Sequence, residues 1–342
     1  MSTQRIIVLM HEDLLPPEVL RRAEDRESAE WKSEYDVVSE LRKLGHEVRP
    51  LGVRCDLTPI REAIIEWKPH VAFHLLEEFH GVAVYDQHMA AYLELMRQPY
   101  TGCNPRGLML SHDKALAKKI LTYHRIAVPE FIVFPRGKQV RRPRGLKFPL
   151  LVKSTTEEAS LGIAQASVVG NDAKLLDRVS YLHEQLSTDV IVEEYIEGRE
   201  LYVGVLGNER LRTLPVWEME FGGMPDGTAR IATAKAKWDH SYQIKYGITT
   251  GAAKNLPVGA TENLARLAKR VYKSLDLSGY ARMDFRLTPE GKLYVLEANP
   301  NPNLARDEDF AESAAHDGIP YGELLQQILN LGRQYRAEWK LA

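Results

Sequence analysis

Cysteine is nearly missing from this sequence: Cys55 and Cys103 are the only two in 342 residues. Two isolated thiols make neither a disulfide framework nor a CxxC metal pair, so stapled secreted scaffolds and zinc modules are excluded. Both are expected to be buried or incidental. An excess of charge is missing too, with 45 basic against 47 acidic side chains. That balance gives no electrostatic footprint for nucleic acid or an anionic membrane, which leaves small molecules as the expected partners. Long apolar runs are also absent. The first, Ile6 to Met10, is too short for a signal peptide, and no stretch reaches the roughly 18 apolar residues of a membrane span. A cytoplasmic protein is the expectation. Finally, no GxGxxG turn follows that first run, which argues against a dinucleotide there.

What is present begins with a core. A hydrophobic content of 44% over this length supports two or three structural units. The most informative stretch is Ser278 to Asn303, SGYARMDFRLTPEGKLYVLEANPNPN. Two strand-like runs, Tyr280 to Leu287 and Lys292 to Ala298, flank Thr288-Pro289-Glu290-Gly291, whose Pro and Gly suit a type I turn. Side chains alternate along a strand, so Arg282 and Asp284 share one face, and Glu297 and Asn299 share one face of the second strand. If Leu287 pairs with Lys292, Arg282 lies opposite Glu297 and all four groups project from the same side. Two carboxylates and an amide carbonyl form a hard oxygen set suited to Mg²⁺, which completes its shell with substrate phosphates. A hairpin with solvated outer charges is the alternative reading of any one of them. Asn299, Asn301 and Asn303 alternate with Pro300 and Pro302, which reads as a rigid exposed loop presenting amides.

Taken in order, the chain opens as β-α-β-α-β. Arg5 to Met10, Glu47 to Leu51 and Val71 to Leu76 read as strands, with helices from Ser28 to Leu44 and from Thr58 to Lys68. The loops after the first and third strands carry Glu12, Glu78 and His80, where open α/β sheets line ligand crevices; a solvated loop is the equal alternative. Tyr100 to Gly102 reads as a short strand, and Asn104 to Gly107 as a hinge. Ser111 caps a helix to about Arg125 with Lys114 in its first turn, a place unfavourable for a cation unless it serves an anion. Lys153 closes the strand Phe148 to Ser154, either as an edge residue reaching water or as a phosphate ligand. Thr155 to Gly162 then forms a flap of small and hydroxyl residues, with a return strand from Ile163 to Val168. A helix from Asp172, a strand from Asp189 to Ile196 and strands at Leu201 to Leu206 and Arg212 to Glu218 follow. Phe221 to Gly251 is a long irregular insertion with Lys235, Lys237 and Trp238, which suits a lid over an anionic substrate. Helices over Val258 to Leu275 and Tyr321 to Tyr335 complete the chain.

In this order the motifs resemble the ATP-grasp superfamily, and within it the D-alanine–D-alanine ligases, from about Tyr100 to Leu331 and more loosely before that. The set that carries the resemblance is Lys114, Lys153, Glu193 to Glu200, Lys237, Arg282-x-Asp284 and Glu297-Ala-Asn299. It implies an α/β (α+β) ATP-grasp fold: a Rossmann-like unit at 1–105, a central subdomain with the phosphate flap at 106–195, and an antiparallel subdomain at 196–342. It further implies ATP and two Mg²⁺ ions, with Mn²⁺ an allowed substitute, small carboxylate and amine substrates, and leaves room for a homodimer. Lys114, Lys153 and Ser160 would contact phosphates, Glu193, Tyr195 and Ile196 the adenine, and Glu200 the ribose. Asp284, Glu297 and Asn299 would hold metal. Lys237 resembles the lid lysine that reaches the transferred phosphate, and Arg282 the group that stabilises an oxyanion. The substrate side departs from the family pattern at Ala159 in the flap, Trp238 in the lid, Glu77 to His80, and Asn301-Pro302-Asn303. A related ligase with other substrates is therefore expected; true D-alanyl-D-alanine synthesis, a silent nucleotide-binding module and a phosphotransferase are the alternatives.

Overall fold

The computed structural model describes residues 2–20, 22, 24–27, 29–157, 161–225 and 227–340. Its first sheet is parallel, with β1 (Arg5–His11) between β2 (Glu47–Val53) and β3 (Val71–His74). An apolar run without alternation belongs to a strand covered on both faces, and β1 is such a strand. Ile6, Val8 and Met10 pack with Val37, Val38 and Leu41 of the helix Lys32–Lys43, while Ile7 and Leu9 pack with Ile60, Met89 and Leu93. The first face is completed by Leu324, Leu325, Ile328 and Leu329. The C-terminal helix Tyr321–Gln334 therefore closes the N-terminal sheet, although its sequence position suggested the last unit. Three expectations change in this region. The first helix begins at Lys32, and Ser28 lies outside the described residues. The second is α-helical only over Thr58–Glu62 and turns into a π-helix over Ala63–Trp67. The strand expected at Tyr100 shrinks to one bridge with Ala72.

One buried acid in this unit has a measurable consequence. Glu34 is buried in the helix Lys32–Lys43, and its Oε2 has no hydrogen-bond partner. Burial, with some help from Glu77, raises its carboxyl from the ordinary range to about 7. The folded state therefore holds the proton more tightly than the unfolded chain, so this stabilisation is complete below the ordinary carboxyl value. It is lost as pH rises through about 7. Glu34→Gln should raise stability by about 2–3 kcal/mol at pH 8 and by much less near pH 4.5, read as urea unfolding midpoints. Equal midpoint changes at both pH values would contradict this.

Antiparallel strands build the second sheet in the order β4 (Phe131–Phe134), β7 (Val190–Glu194), β5 (Leu150–Ser154), β6 (Val168–Val169). The helix Asp172–Leu186 covers it through Leu175, Val179 and Leu182. The return strand expected from Ile163 is mostly absent: Gln165–Ser167 is a 3-10 turn, because the Ser167 hydroxyl accepts from the Ala164 N–H at 3.1 Å and takes a donor that pairing would use.

The third sheet runs β11 (Ile248–Ala252), β10 (Trp217–Phe221), β8 (Arg199–Leu206), β12 (Tyr280–Leu287), β13 (Leu293–Pro300), with β9 (Arg212–Thr213) beside β8. The strand expected over 212–218 splits at Pro215, which has no N–H for a ladder. The long insertion contains the helices Ala234–Trp238 and His240–Tyr246. One face of the sheet is apolar: Val203, Met283 and Phe285 pack on Leu264, Ala268 and Val271 of the helix Ala260–Ser274. Leu108, Ala117 and Leu121 join the same cluster from the helices Pro105–His112 and Lys114–Tyr123. The supposed hinge at Asn104 is the cap of the first of these, its Oδ1 accepting from Gly107 N at 2.9 Å. Ser111 lies inside that helix, its hydroxyl bonded back to Gly107 O, and Asp113 caps the next one.

Candidate active site

The other face of the third sheet is polar, and the ladder shows why. Asp284 pairs with Tyr202 and Arg286 with Glu200 on β8, while Asp284 pairs with Glu297 and Arg282 with Asn299 on β13. Paired residues share a face, so Glu200, Tyr202, Arg282, Asp284, Arg286, Glu297 and Asn299 form one surface. The turn is as expected, with Gly291 N donating to Thr288 O at 2.9 Å. The register is not: Leu287 meets Leu293, and the ladder slips by one residue between Asp284 and Phe285. A bulge at Leu296 absorbs the extra residue. Without it, the slip would send Glu297 to the apolar face. Arg282 consequently lies opposite Asn299 instead of Glu297.

Arg282 grips Asp284 with a fork, Nε to Oδ1 at 2.8 Å and Nη2 to Oδ2 at 3.0 Å. Burial raises the Asp284 carboxyl and outweighs this pairing, while the Arg282 guanidinium is held firmly charged because Asp284 outweighs its burial. Burial also pushes Glu297 up, but Lys114, Lys153, Lys237 and Lys118 together bring it well below the usual carboxylate range. Lys114 sits 3.6 Å from Glu297 and donates to Glu157 O at 2.8 Å, which ties the first turn of its helix to the start of the flap. Lys153 is no edge residue. It lies in an interior strand, 3.1 Å from Glu193, and its burial is outweighed by Glu193, Glu297 and Glu200, which raise it.

The cleft between the second and third sheets is lined by Lys153, Glu193, Glu194, Tyr195, Ile196, Glu200, Lys237, Asp284, Arg286 and Glu297. Within it Glu193 differs from expectation, since its carboxylate points to Lys153 and, at 3.4 Å, to Lys118. The Tyr195 N–H is donated to Pro149 O at 3.0 Å, so its carbonyl and the Ile196 backbone are what this corner offers a ligand. Both oxygens of Glu200 are engaged, Oε1 by the Tyr202 hydroxyl at 3.0 Å and Oε2 by Arg286 at 2.7 Å. Ser160 lies outside the described residues, as do Glu158 and Ala159.

Two residues were missed. Arg286 follows Arg282 and Asp284 on the same alternation, which was signal enough to find it. Lys118, buried at 2% exposure, donates to the carbonyl of the bulge residue Leu296 at 2.8 Å. Burial lowers it to about 8 despite Glu193. A lysine one turn after Lys114 looks like solvated helix surface, and only the fold shows otherwise. Six cations, Lys114, Lys118, Lys153, Lys237, Arg282 and Arg286, stand with five acids, Glu193, Glu194, Glu200, Asp284 and Glu297, a near balance in which the four lysines gather around Glu297.

The remaining candidates stand apart. Glu12 is bound to Arg54 at 2.9 Å, Arg54 also reaches Asp13, and His11 links Asp13 to Glu78 at 3.6 and 3.4 Å. The His80 N–H donates to Arg54 O at 2.7 Å. These residues form one polar cluster that does not line the cleft. Asn301 is turned inward: its Oδ1 accepts from Cys103 N at 2.8 Å and fills the space a side chain on Gly102 would need. Asn303 is exposed and caps its own turn at Ala305 N, and Trp238 is exposed at the end of the lid helix. The Asn-Pro-Asn segment is thus only partly a free loop, because Asn299 and Pro300 belong to the edge strand β13, where Pro is tolerated.

A family model for the D-ala D-ala ligase C-terminus matches residues 120–330. A D-alanine–D-alanine ligase of Desulforudis audaxviator is 31% identical over 87% of this chain and 92% of its own length. This chain belongs to the D-alanine–D-alanine ligase family. The fold agrees: a D-alanine–D-alanine ligase from Bacillus anthracis complexed with ATP superimposes with a TM-score of 0.72 at 23% identity, covering 96% of this chain and 97% of that one. The VanG D-Ala:D-Ser ligase of Enterococcus faecalis gives 0.69 at 19% identity, covering 97% and 100%. The family member described here is thus an enzyme of the ATP-dependent carboxylate–amine ligase class with an ATP-grasp fold, acting on small molecules with a divalent metal. Among the described residues, no helix is long and apolar enough to cross a membrane.

The donor set fits such a metal. Among the described residues no three His, Cys, Asp or Glu side chains gather as a metal group. Two carboxylates, Asp284 and Glu297, share a face with the Asn299 amide, a partial shell of the kind Mg²⁺ takes when phosphates supply the rest. The Asn299 amide nitrogen is buried without a partner; as a donor it calls for an acceptor oxygen, of the kind a phosphate would bring, while its carbonyl oxygen is the atom that would ligate metal.

Proposed function

We propose that the chain activates an amino-acid or small carboxylate with ATP and joins it to an amine through an acyl phosphate. One observation carries this: Asp284 and Glu297, which share a sheet face with Arg282 and Asn299, line one cleft together with Lys153 and Lys237. A carboxylate cannot lose oxide to an amine. Attack of its oxygen on the terminal phosphorus forms the C–O–P link and breaks the bond to ADP. The amine nitrogen then adds to the carbonyl carbon, and inorganic phosphate leaves as the tetrahedral oxyanion collapses.

The residues divide this work by position. Lys114 and Lys153 would hold the phosphates, with Glu194, Tyr195 and Ile196 at the adenine and Glu200 at the ribose. Lys237, on the short helix of the lid, would reach the transferred phosphoryl group. Arg282, a planar donor beside Asp284, would meet the oxyanion; one such donor is worth on the order of 10² to 10³ in rate. Asp284, Glu297 and Asn299 would hold two Mg²⁺ ions, or Mn²⁺ in their place, which supply charge neutralisation at the phosphoryl oxygens. The lid must exclude water from the acyl phosphate.

The substrate pair is proposed to differ from two D-alanines, because the sequence departs from the family pattern at Ala159 in the flap, Trp238 in the lid and Asn301-Pro302-Asn303 after the metal ligands. Two relatives of this fold carry different acceptors in their names, D-Ala and D-Ser. The test is ADP release over pairs of D- and L-amino acids and small carboxylates, with mass spectrometry of the product. A dehydrated adduct of one pair supports the proposal. ATP bound without ADP release against every pair, or a stable phosphorylated product, overturns it.

A further inference from the structure

Tyr202 lies at the centre of the polar sheet face, 2% exposed, paired with Asp284 on one side and Trp217 on the other. Its ring does two things that packing alone does not require. The Arg282 guanidinium carbon stands 4.7 Å from the ring centroid, over its face. The hydroxyl donates to Glu200 Oε1 at 3.0 Å, while Arg286 holds the other oxygen of that carboxylate at 2.7 Å. At the register position of Arg282 itself, β8 carries Gly204, where a side chain would collide with Leu214 and Phe310. The ring is therefore the support that β8 offers the guanidinium. Trp217, Met219, Ala236 and Ile248 surround the rest of the ring, a setting an aliphatic residue would fill equally well.

We propose that Tyr202 is a positioning residue acting at two points: its ring face aligns Arg282, and its hydroxyl fixes Glu200. The two ends of the site, oxyanion donor and ribose-side carboxylate, are thereby set by one rigid side chain. The proposal rests on the roles given above to Arg282 and Glu200.

The two contacts predict separable effects. Tyr202→Phe keeps the ring and loses the hydroxyl, so the KM for ATP should rise about fivefold with kcat within about twofold of the parent. Replacing that phenylalanine by ring-fluorinated forms keeps shape and burial while draining the ring face of negative charge. Across this series kcat should fall stepwise, to about 30-fold below Tyr202→Phe for the most fluorinated ring, at a constant thermal midpoint. A kcat that is flat across the series, or that falls only as the midpoint falls, overturns the ring role. An unchanged KM in Tyr202→Phe overturns the hydroxyl role. Arg282→Lys, assayed in parallel, separates the two levels. If it is as active as the parent, the role of Arg282 fails and this proposal with it. If it is impaired while the fluorine series is flat, only the proposal fails.

Discussion

Glu297→Gln is expected to lower turnover on the order of 10³-fold or more, with a lower thermal midpoint because the buried lysines lose their counter-charge, but with the fold kept. The carboxylate sits on β13 opposite Asp284, beneath four lysines that keep it ionised, with Lys114 at 3.6 Å. Among the described residues no short hydrogen bond ties it to the fold, so an isosteric amide costs little packing. The lost charge removes a hard metal ligand and leaves the lysines with less to balance them. ATP should therefore still bind when metal is withheld, by titration, while ADP release is lost. A variant that fails to fold would instead make the carboxylate a structural anchor.

Arg282→Lys should lower kcat on the order of 10²-fold, with the KM for ATP within about threefold. The lysine keeps the charge and loses the planar fork that holds Asp284 through both oxygens. It also loses the flat group that lies on Tyr202. Removing the cation altogether is expected to do more, because a buried Asp284 without its partner costs about 3–5 kcal/mol. Arg282→Met should then lose stability as well as turnover, seen as a lower urea midpoint. Equal midpoints for Arg282→Lys and Arg282→Met would contradict the buried-pair account.

How much of this was readable from residues alone depends on whether the signal is local. The alternation in Tyr280 to Leu287 placed Arg282 and Asp284 on one face, and the Pro and Gly of the turn placed the hairpin. The bulge was not readable, since an extra residue at Leu296 leaves no mark on a period of two. It nevertheless decides that Asp284, not Arg282, faces Glu297. Lys118 was hidden because helical spacing cannot tell a solvated lysine from one meeting a distant carbonyl. Asn301 was misassigned for a related reason: an amide between prolines looks presented to solvent, yet its partner is Cys103, far away in sequence. The C-terminal helix shows the same limit at larger scale. Its apolar stripe was legible, but not that the stripe covers the N-terminal sheet.

In the proposed mechanism an inert acid is activated by phosphoryl transfer onto its own oxygen. The direct measurement is to supply the accepted carboxylate substrate with ¹⁸O in its carboxyl group and to weigh the inorganic phosphate released. Phosphate carrying one heavy oxygen per turnover, alongside ADP, is the predicted result. Unlabelled phosphate, or AMP and pyrophosphate in place of ADP, would contradict it.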